Sequence, residues 1–334
     1  MKAPDFAYAR PASLDAALAL LAEHGEDAVP LAGGQSLVTA LNMRLSAPGL
    51  LVDLNAIPEL TGVSEAGGEA GGIVRIGAMT RHRDVGTAAL VRERLPLLAA
   101  ALPHIAHPAI RNRGTIGGSV ALADPATEWP ACCLAAGASI VVRGPGAERR
   151  VPADDFFQGL YTTALEPGEI VTAIEFPVPG ADAVWGFEEL SRRHGDYALV
   201  GLAATGRRSA GGLSDLRLAF FGVADRPVLA RAAAAALEAG DLAGAQAALA
   251  GELDPPDDPT TKAATRLHLA RDRLVPVEPV HADDKTLLAR PPDNIGDTDL
   301  GILHMRRDHR EVVRIHGYEF APPRHDVPFV KTIR

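Results

Sequence analysis

The sequence predicts an α+β protein with a larger domain over residues 1–177, a smaller α+β domain over 181–271, and an atypical tail over 272–334. Three observations carry that prediction. Short β-branched runs alternate with helical apolar stripes through the first half of the chain. Pro177-Val178-Pro179-Gly180 then punctuates it, and three long alternating runs and alanine-rich helices follow. Finally, 334 residues exceed one compact domain, and 47% hydrophobic with 22% charged residues is the profile of an ordinary globular chain.

The elements follow in order. Ser13 can cap a helix whose apolar face is Ala17, Leu18, Leu20 and Leu21, and Gly25 supplies a left-handed stop. A strand over 28–31 leads into Ala32-Gly33-Gly34-Gln35-Ser36, then a helix over 37–45 and a strand over 50–54. Ile73, Val74 and Ile76 mark a strand over 72–78; Thr80 is a candidate cap for the next helix, and another covers 95–104. After the glycine-bearing segment 111–119 come a helix over 128–136 and strands over 139–143 and 169–176. Beyond the boundary, strands are expected over 185–191, 202–208 and 216–223. Helices follow over 228–239, over 242–250 and from about Thr260. From Asp272 onward prolines recur, which makes the tail a poor candidate for packed core.

Composition excludes several functions. A net charge of −9 gives nucleic-acid binding no electrostatic support. The start, Met1 to Phe6, lacks the apolar core of a signal peptide, and no apolar run reaches membrane-spanning length, so the expected location is cytoplasmic. Cys132 and Cys133 are the only cysteines. A thiolate-ligated iron–sulfur cluster needs about four, so any redox cofactor here is organic or its metal lies in another chain. The pair reads as small apolar residues of a buried helix. His104 and His107 flank Pro108 without a third ligand nearby, and no metal site is expected.

Two glycine segments carry the chemistry. Gly33 and Gly34 let the backbone approach a ligand, and nearby amides with the Ser36 hydroxyl suit phosphate oxygens. The spacing fits neither GxGxxG nor the Walker pattern. Thr115-Ile116-Gly117-Gly118-Ser119 repeats the theme of a glycine pair beside hydroxyls. One such segment is an ordinary turn. Two in one domain suggest a pyrophosphate held from both sides, as in a dinucleotide.

The ordered set AGGQSL (32–37), HPAIRNRGTIGGSVALADPATEWP (107–130), LEPGEIVTAIEFP (165–177) and SRRHGDYALV (191–200) resembles the FAD-binding subunits of molybdenum hydroxylases. That group includes carbon monoxide dehydrogenase medium subunits and the flavin domain of xanthine dehydrogenases. The resemblance runs over about 1–270 and implies a two-part FAD-binding domain of the vanillyl alcohol oxidase/xanthine dehydrogenase type. It assigns Ala32, Gly33, Gly34, Gln35, Ser36 and Leu37, with the preceding Leu31, to a first pyrophosphate loop. Thr115, Gly117, Gly118 and Ser119 form the second. Glu128 matches an acidic position near the ribose or phosphates, with Asp124 the competing candidate; each could equally be a helix or turn cap. Ile105 and either Ile170 or Val171 match positions lining the flavin or adenine, which core packing would also explain. Tyr197 matches an aromatic position near the flavin. Where xanthine dehydrogenases have a lysine near the flavin this chain has Glu188, so their NAD+ chemistry is not carried over.

The resemblance further implies a [2Fe–2S] small subunit and a molybdenum-cofactor large subunit, arranged as a dimer of heterotrimers. Electrons would pass from the clusters to FAD and on to an external acceptor. The rival readings are a stand-alone FAD oxidoreductase of the vanillyl alcohol oxidase-like fold and a dinucleotide-binding interaction module. Residues 292–307 are similar to the C-terminal end of Rieske-type ring-oxygenase large subunits, but without cluster or iron ligands, so the tail reads as a non-catalytic extension.

Overall fold

The computed structural model describes residues 2–67, 72–209, 212–259 and 261–274, together with three strands beyond 302. Helix Leu14–His24 begins at Ser13, whose hydroxyl accepts the Ala16 amide at 3.3 Å, and stops at Gly25 with φ 55°. Its Ala17, Leu18 and Leu21 are buried beside a small parallel sheet in which Leu50–Asp53 lies between Ala7–Ala9 and Ala28–Leu31. Leu54, Ile57, Leu60 and Met79 complete this first apolar core.

A second core rests on a five-stranded antiparallel sheet. Its order is Val63–Ala66, Ile73–Gly77, Ile170–Pro177, Ser139–Arg143 and Glu148–Pro152. The central strand is buried from Ile170 to Phe176. Successive strand residues point to opposite faces, so Ile170 joins the first core and Val171 the second. A register shift between Val171 and Ala173 leaves the Thr172 carbonyl to accept the Ala78 amide at 2.9 Å. That bond ties the end of the Ile73–Gly77 strand to the middle of the domain.

Helix Glu128–Ala135 is buried along its whole length, with Cys132 and Cys133 as free thiols inside it. It packs on strands Ala198–Ser209 and Gly212–Phe221 of a four-stranded antiparallel sheet that also holds Ala183–Ser191 and Val228–Leu229. One face of this sheet, through Trp185, Phe187, Ala203 and Phe221, joins the second core. The other carries helices Arg231–Glu238, Leu242–Glu252 and Ala263–Arg273 on a third core. Arg266 is buried there and donates to the Gly222 carbonyl at 2.8 Å.

Several elements differ from expectation, each for a physical reason. The helix expected over 37–45 ends as Leu37–Asn42, because Met43 and Leu45 are exposed and nothing buries a further turn. Thr80 does not cap helix His82–Thr87; Arg81 holds that position, and the Thr80 hydroxyl instead accepts from and donates to the backbone of Gly62. The helix expected over 95–104 is Pro96–Ala101 followed by a tighter turn, Leu102–His104, that contains Pro103. Val228–Leu229, expected as helix, pairs with Ala219 and Phe220 as a strand. Helices Pro108–Arg111 and Ile116–Leu122 are new, the second hidden in the sequence by two glycines of poor helix propensity.

Residues Ala289–Arg334 form a separate unit. In it Leu303–Arg307 pairs antiparallel with Arg310–Ile315, and that strand with Tyr318–Phe320. The proline-rich reading does not anticipate these strands; the stretch 292–302 lies outside the described residues.

Candidate functional site

A cavity of about 500 Å³ opens where the two cores of the larger domain meet the turn at Gly195 to Tyr197. The strand Ala28–Leu31 delivers the first glycine segment to it. Gly34 has φ 72°, a left-handed backbone that side chains resist. The Gln35 side-chain amide donates to the Gly33 carbonyl at 3.0 Å and braces the turn. The first helical bond runs from the Val38 amide to the Gly34 carbonyl at 3.1 Å, so the amides of residues 35–37 stand ahead of the helical ladder. They are the donors a phosphate group needs.

The second segment is built differently. Thr115 caps helix Ile116–Leu122, its hydroxyl accepting the Gly118 amide at 3.1 Å. The Ile116 amide donates to the Thr80 carbonyl, that of Gly117 to Ala78 at 2.8 Å, and that of Ser119 to Thr115 at 3.1 Å. Every amide from 116 to 119 is therefore engaged within the protein. The second segment thus offers hydroxyls and a surface without Cβ atoms rather than free backbone donors.

The two segments touch. A Cβ on Gly33 would lie 2.5 Å from the Arg113 carbonyl oxygen and 2.7 Å from Gly114 Cα, while one on Gly118 would lie 3.2 Å from Ala32 Cβ. At Gly33 only glycine allows this approach, since the obstructing atoms are backbone.

Of the site residues expected from sequence, all but Leu31 and Asp124 line the cavity. Leu31 sits beneath Gly34 as packing. Asp124 is buried and accepts the Ala126 amide at 3.0 Å and the Tyr161 hydroxyl at 3.3 Å, so it shapes the turn before helix Glu128–Ala135. Glu128 is the buried acidic residue on the cavity wall, which Glu169, paired with Arg149, and the exposed Asp196 also line; burial pushes the Glu128 carboxyl up to about 7, with a smaller contribution from Asp124. Ile105, Ile170 and Val171 supply apolar wall, and Tyr197, 61% exposed, stands at the mouth.

The structure adds residues that sequence reasoning missed. His82 lines the cavity while its Nδ1 accepts the Trp129 indole N–H at 2.9 Å, and burial lowers its imidazole to about 4, so it is neutral. No local pattern around His82 marks it. Gly195 also lines the wall, and here a signal existed, since it lies within the Arg193-His194-Gly195-Asp196-Tyr197 motif. Its φ is 85°, and a Cβ there would lie 2.7 Å from the His107 ring. Glu188, read from sequence as the counterpart of a flavin-side lysine, pairs instead with Arg273 at 3.1 Å on the helical side of its sheet. Strand alternation turns the next residue, Glu189, toward the larger domain. His104 and His107 are not joined by a third ligand, and among the described residues no group of three or more His, Cys, Asp or Glu is placed to hold a metal ion.

These features fit a flavin dinucleotide: free amides and hydroxyls near the glycine segments, a bare backbone floor between them, apolar walls and the buried Glu128 carboxyl. The volume falls within the range of roughly 300–1,000 Å³ usual for such ligands. The fold and cleft together define a dinucleotide-binding flavoprotein.

Residues 4–179 match the family described as the FAD binding domain in molybdopterin dehydrogenase, and residues 185–276 match the CO dehydrogenase flavoprotein C-terminal domain. The carbon monoxide dehydrogenase medium chain of Hydrogenophaga pseudoflava is 43% identical over 221 residues, 66% of this chain and 76% of that protein. The nicotine 6-hydroxylase medium subunit of Paenarthrobacter nicotinovorans is 41% identical, with 66% and 76% covered. Among solved structures, carbon monoxide dehydrogenase from H. pseudoflava superposes with a TM-score of 0.79 at 40% identity, covering 82% of this chain and 96% of that one. The chain belongs to the FAD-binding medium subunits of the molybdenum hydroxylase family; it is an oxidoreductase subunit and its cofactor is FAD. Among the described residues no helix is long and apolar enough to cross a membrane.

Proposed function

We propose that this chain is the electron-transfer subunit of a heterotrimeric molybdenum hydroxylase. Its partners would be a [2Fe–2S] small subunit and a molybdenum-cofactor large subunit, paired as a dimer of heterotrimers, with the organic substrate bound in the large subunit. FAD, when bound, supplies a carrier that accepts electrons from iron–sulfur clusters and passes them to an external acceptor. The observation that carries this reading is the cavity between the glycine segments. It offers phosphate and ring contacts, and the one histidine on its wall is held neutral beside Trp129.

The cavity lining and the family resemblance support these residue roles. The segment Ala32 to Leu37 binds the pyrophosphate through its amides and the Ser36 hydroxyl. Thr115, Gly117, Gly118 and Ser119 close the opposite side, with the Ser119 hydroxyl as donor. Glu128 orients the ribose, Ile105, Ile170 and Val171 hold the rings, and Tyr197 covers the flavin edge. We assign residues 1–177 to the FAD-binding domain and 181–271 to the C-terminal domain, a division supported by their separate sheets and by a third apolar core made only of residues after Leu199.

Co-expression with candidate partner subunits, followed by size exclusion, flavin spectra and metal analysis, tests the assignment. The expected product is a complex containing FAD, iron and molybdenum. A flavin-loaded chain that oxidises an organic substrate unaided, with neither metal present, would replace this reading by the stand-alone oxidoreductase.

A further inference from the structure

Glu189 lies on strand Ala183–Ser191, on the face shared with Trp185 and Phe187 that packs into the larger domain. Its side chain is 1% exposed, and its Oε2 has no hydrogen-bond partner. An unpaired polar atom at such a depth is costly unless it has a use. The nearest basic group is the His104 imidazole, whose Nδ1 is 4.0 Å from that oxygen. His104 is half-buried against Phe187, with the exposed His194 ring 6.3 Å away, centre to centre. The charge of Glu128, which lines the cavity, acts on Glu189, and that of Glu189 acts on the Cys132 thiol. Ile105, the neighbour of His104, lines the same cavity. His194, His104 and Glu189 thus run from exposed to buried, and the buried end feels the charge of Glu128 on the cavity wall.

We propose that Glu189 is a proton store for the flavin site, exchanging with solvent through His104 and His194 and with the cleft through Glu128. The proposal rests on the reading that FAD occupies the cavity and receives electrons from iron–sulfur clusters. Such clusters deliver electrons without protons, whereas two-electron reduction of a flavin takes up at least one proton with its two electrons. That proton needs a local source in a shielded site. The groups facing Glu189 and its neighbour are Glu128, Cys132, His104 and His194, and burial disfavours the charged forms of His104 and Cys132. Burial first, and Glu128 second, push the Glu189 carboxyl up from 4.5 to about 9, so it holds its proton at neutral pH. Negative charge arriving in the cleft raises its proton affinity further.

The test uses the full chain and Glu189→Gln, which keeps the volume but cannot exchange a proton. FAD midpoint potentials are measured by dye equilibration across pH 6–10 (about the range spanning Glu128 and Glu189), together with flavin content. The wild-type potential should fall more steeply with pH than that of Glu189→Gln, at equal flavin occupancy. Superimposable curves would show Glu189 to be only structural and would end the proposal while leaving FAD binding intact. A wild-type chain that takes up no FAD ends the parent reading instead. His104→Gln provides a second variant should the first misfold; it should slow proton uptake after rapid reduction, and an unchanged rate counts against the relay. Stability adds a readout without flavin. The folded pKa of Glu189 is raised, so its contribution is complete below about 4.5 and is lost as pH rises through about 9. The wild type should therefore lose more stability over that window than Glu189→Gln, which keeps only the smaller loss from Glu128.

Discussion

The two glycine segments look alike in sequence and do different work. At Ala32 to Leu37, glycine is required by backbone conformation at Gly34 and by contact with the opposite segment at Gly33. Neither Gly117 nor Gly118 has a positive φ; both lie within helix Ile116–Leu122, and Gly117 is there because a Cβ would lie 2.3 Å from Ala78 Cβ and 2.6 Å from its Cα. The first segment leaves its amides free, and the second has committed its own. One keeps backbone donors available beside the cavity, and the other is a tightly packed helix start that forms its counter-surface. A glycine pair in a sequence thus signals close approach without saying whether ligand or protein makes it.

Substitutions can separate these duties, and the largest effect is expected at Gly33. Its valine variant forces the Arg113 carbonyl away, and overpacking of this kind costs about 1–3 kcal/mol. Gly33→Val should retain less than about a tenth of the wild-type flavin affinity while its circular dichroism stays native. Full flavin occupancy would mean the segments need not touch. Gly117→Ala should act on stability first. The obstructing Ala78 atoms include backbone that cannot move aside, so the thermal midpoint should fall by about 2–4 °C per kcal/mol lost. A normal midpoint with flavin lost would make Gly117 a ligand contact and erase the contrast.

A subtler variant addresses what holds the segments in place. Asn55 donates from its side chain to the Ala32 carbonyl at 2.9 Å, and the Arg81 guanidinium donates to both the Asn55 side-chain oxygen and the Arg113 carbonyl. One fork therefore spans both segments. Lysine keeps the charge but lacks the planar pair of donors. Arg81→Lys should weaken FAD binding by roughly tenfold, the worth of about one charged hydrogen bond; wild-type affinity would mean that charge alone suffices. The smallest change is expected for Thr115→Val. Its hydroxyl is engaged as a cap, whose loss costs about 1 kcal/mol of stability, with flavin content unchanged by spectroscopy. Flavin loss at constant stability would show the hydroxyl to be a ligand donor instead.

Much of the architecture was legible because local physics repeats along the chain. Ser13 and Gly25 bounded a helix, β-branched runs marked the strands at Ser139–Arg143 and Ile170–Pro177, and the apolar Cys132-Cys133 pair marked a buried helix. The helix starting at Ile116 was not legible, since its two glycines argue against helix until Ala78 is known to lie across them. Thr80 likewise has the chemistry of a cap, but Gly62, distant in sequence, takes its hydroxyl.

The sequence by itself determined the chemical inventory of this protein: two glycine segments with hydroxyls, apolar wall residues and too few thiols for a cluster, all of which are properties of residue type and spacing. Only the tertiary structure decided which amides are free, that Glu128 rather than Asp124 faces the cavity, and that Glu189 rather than Glu188 turns toward the larger domain. The physical reason is that a donor's availability and a carboxyl's charge depend on what other segments bring against them. Those contacts join residues as far apart as Gly33 and Arg113, or His104 and Glu189, which no local pattern records.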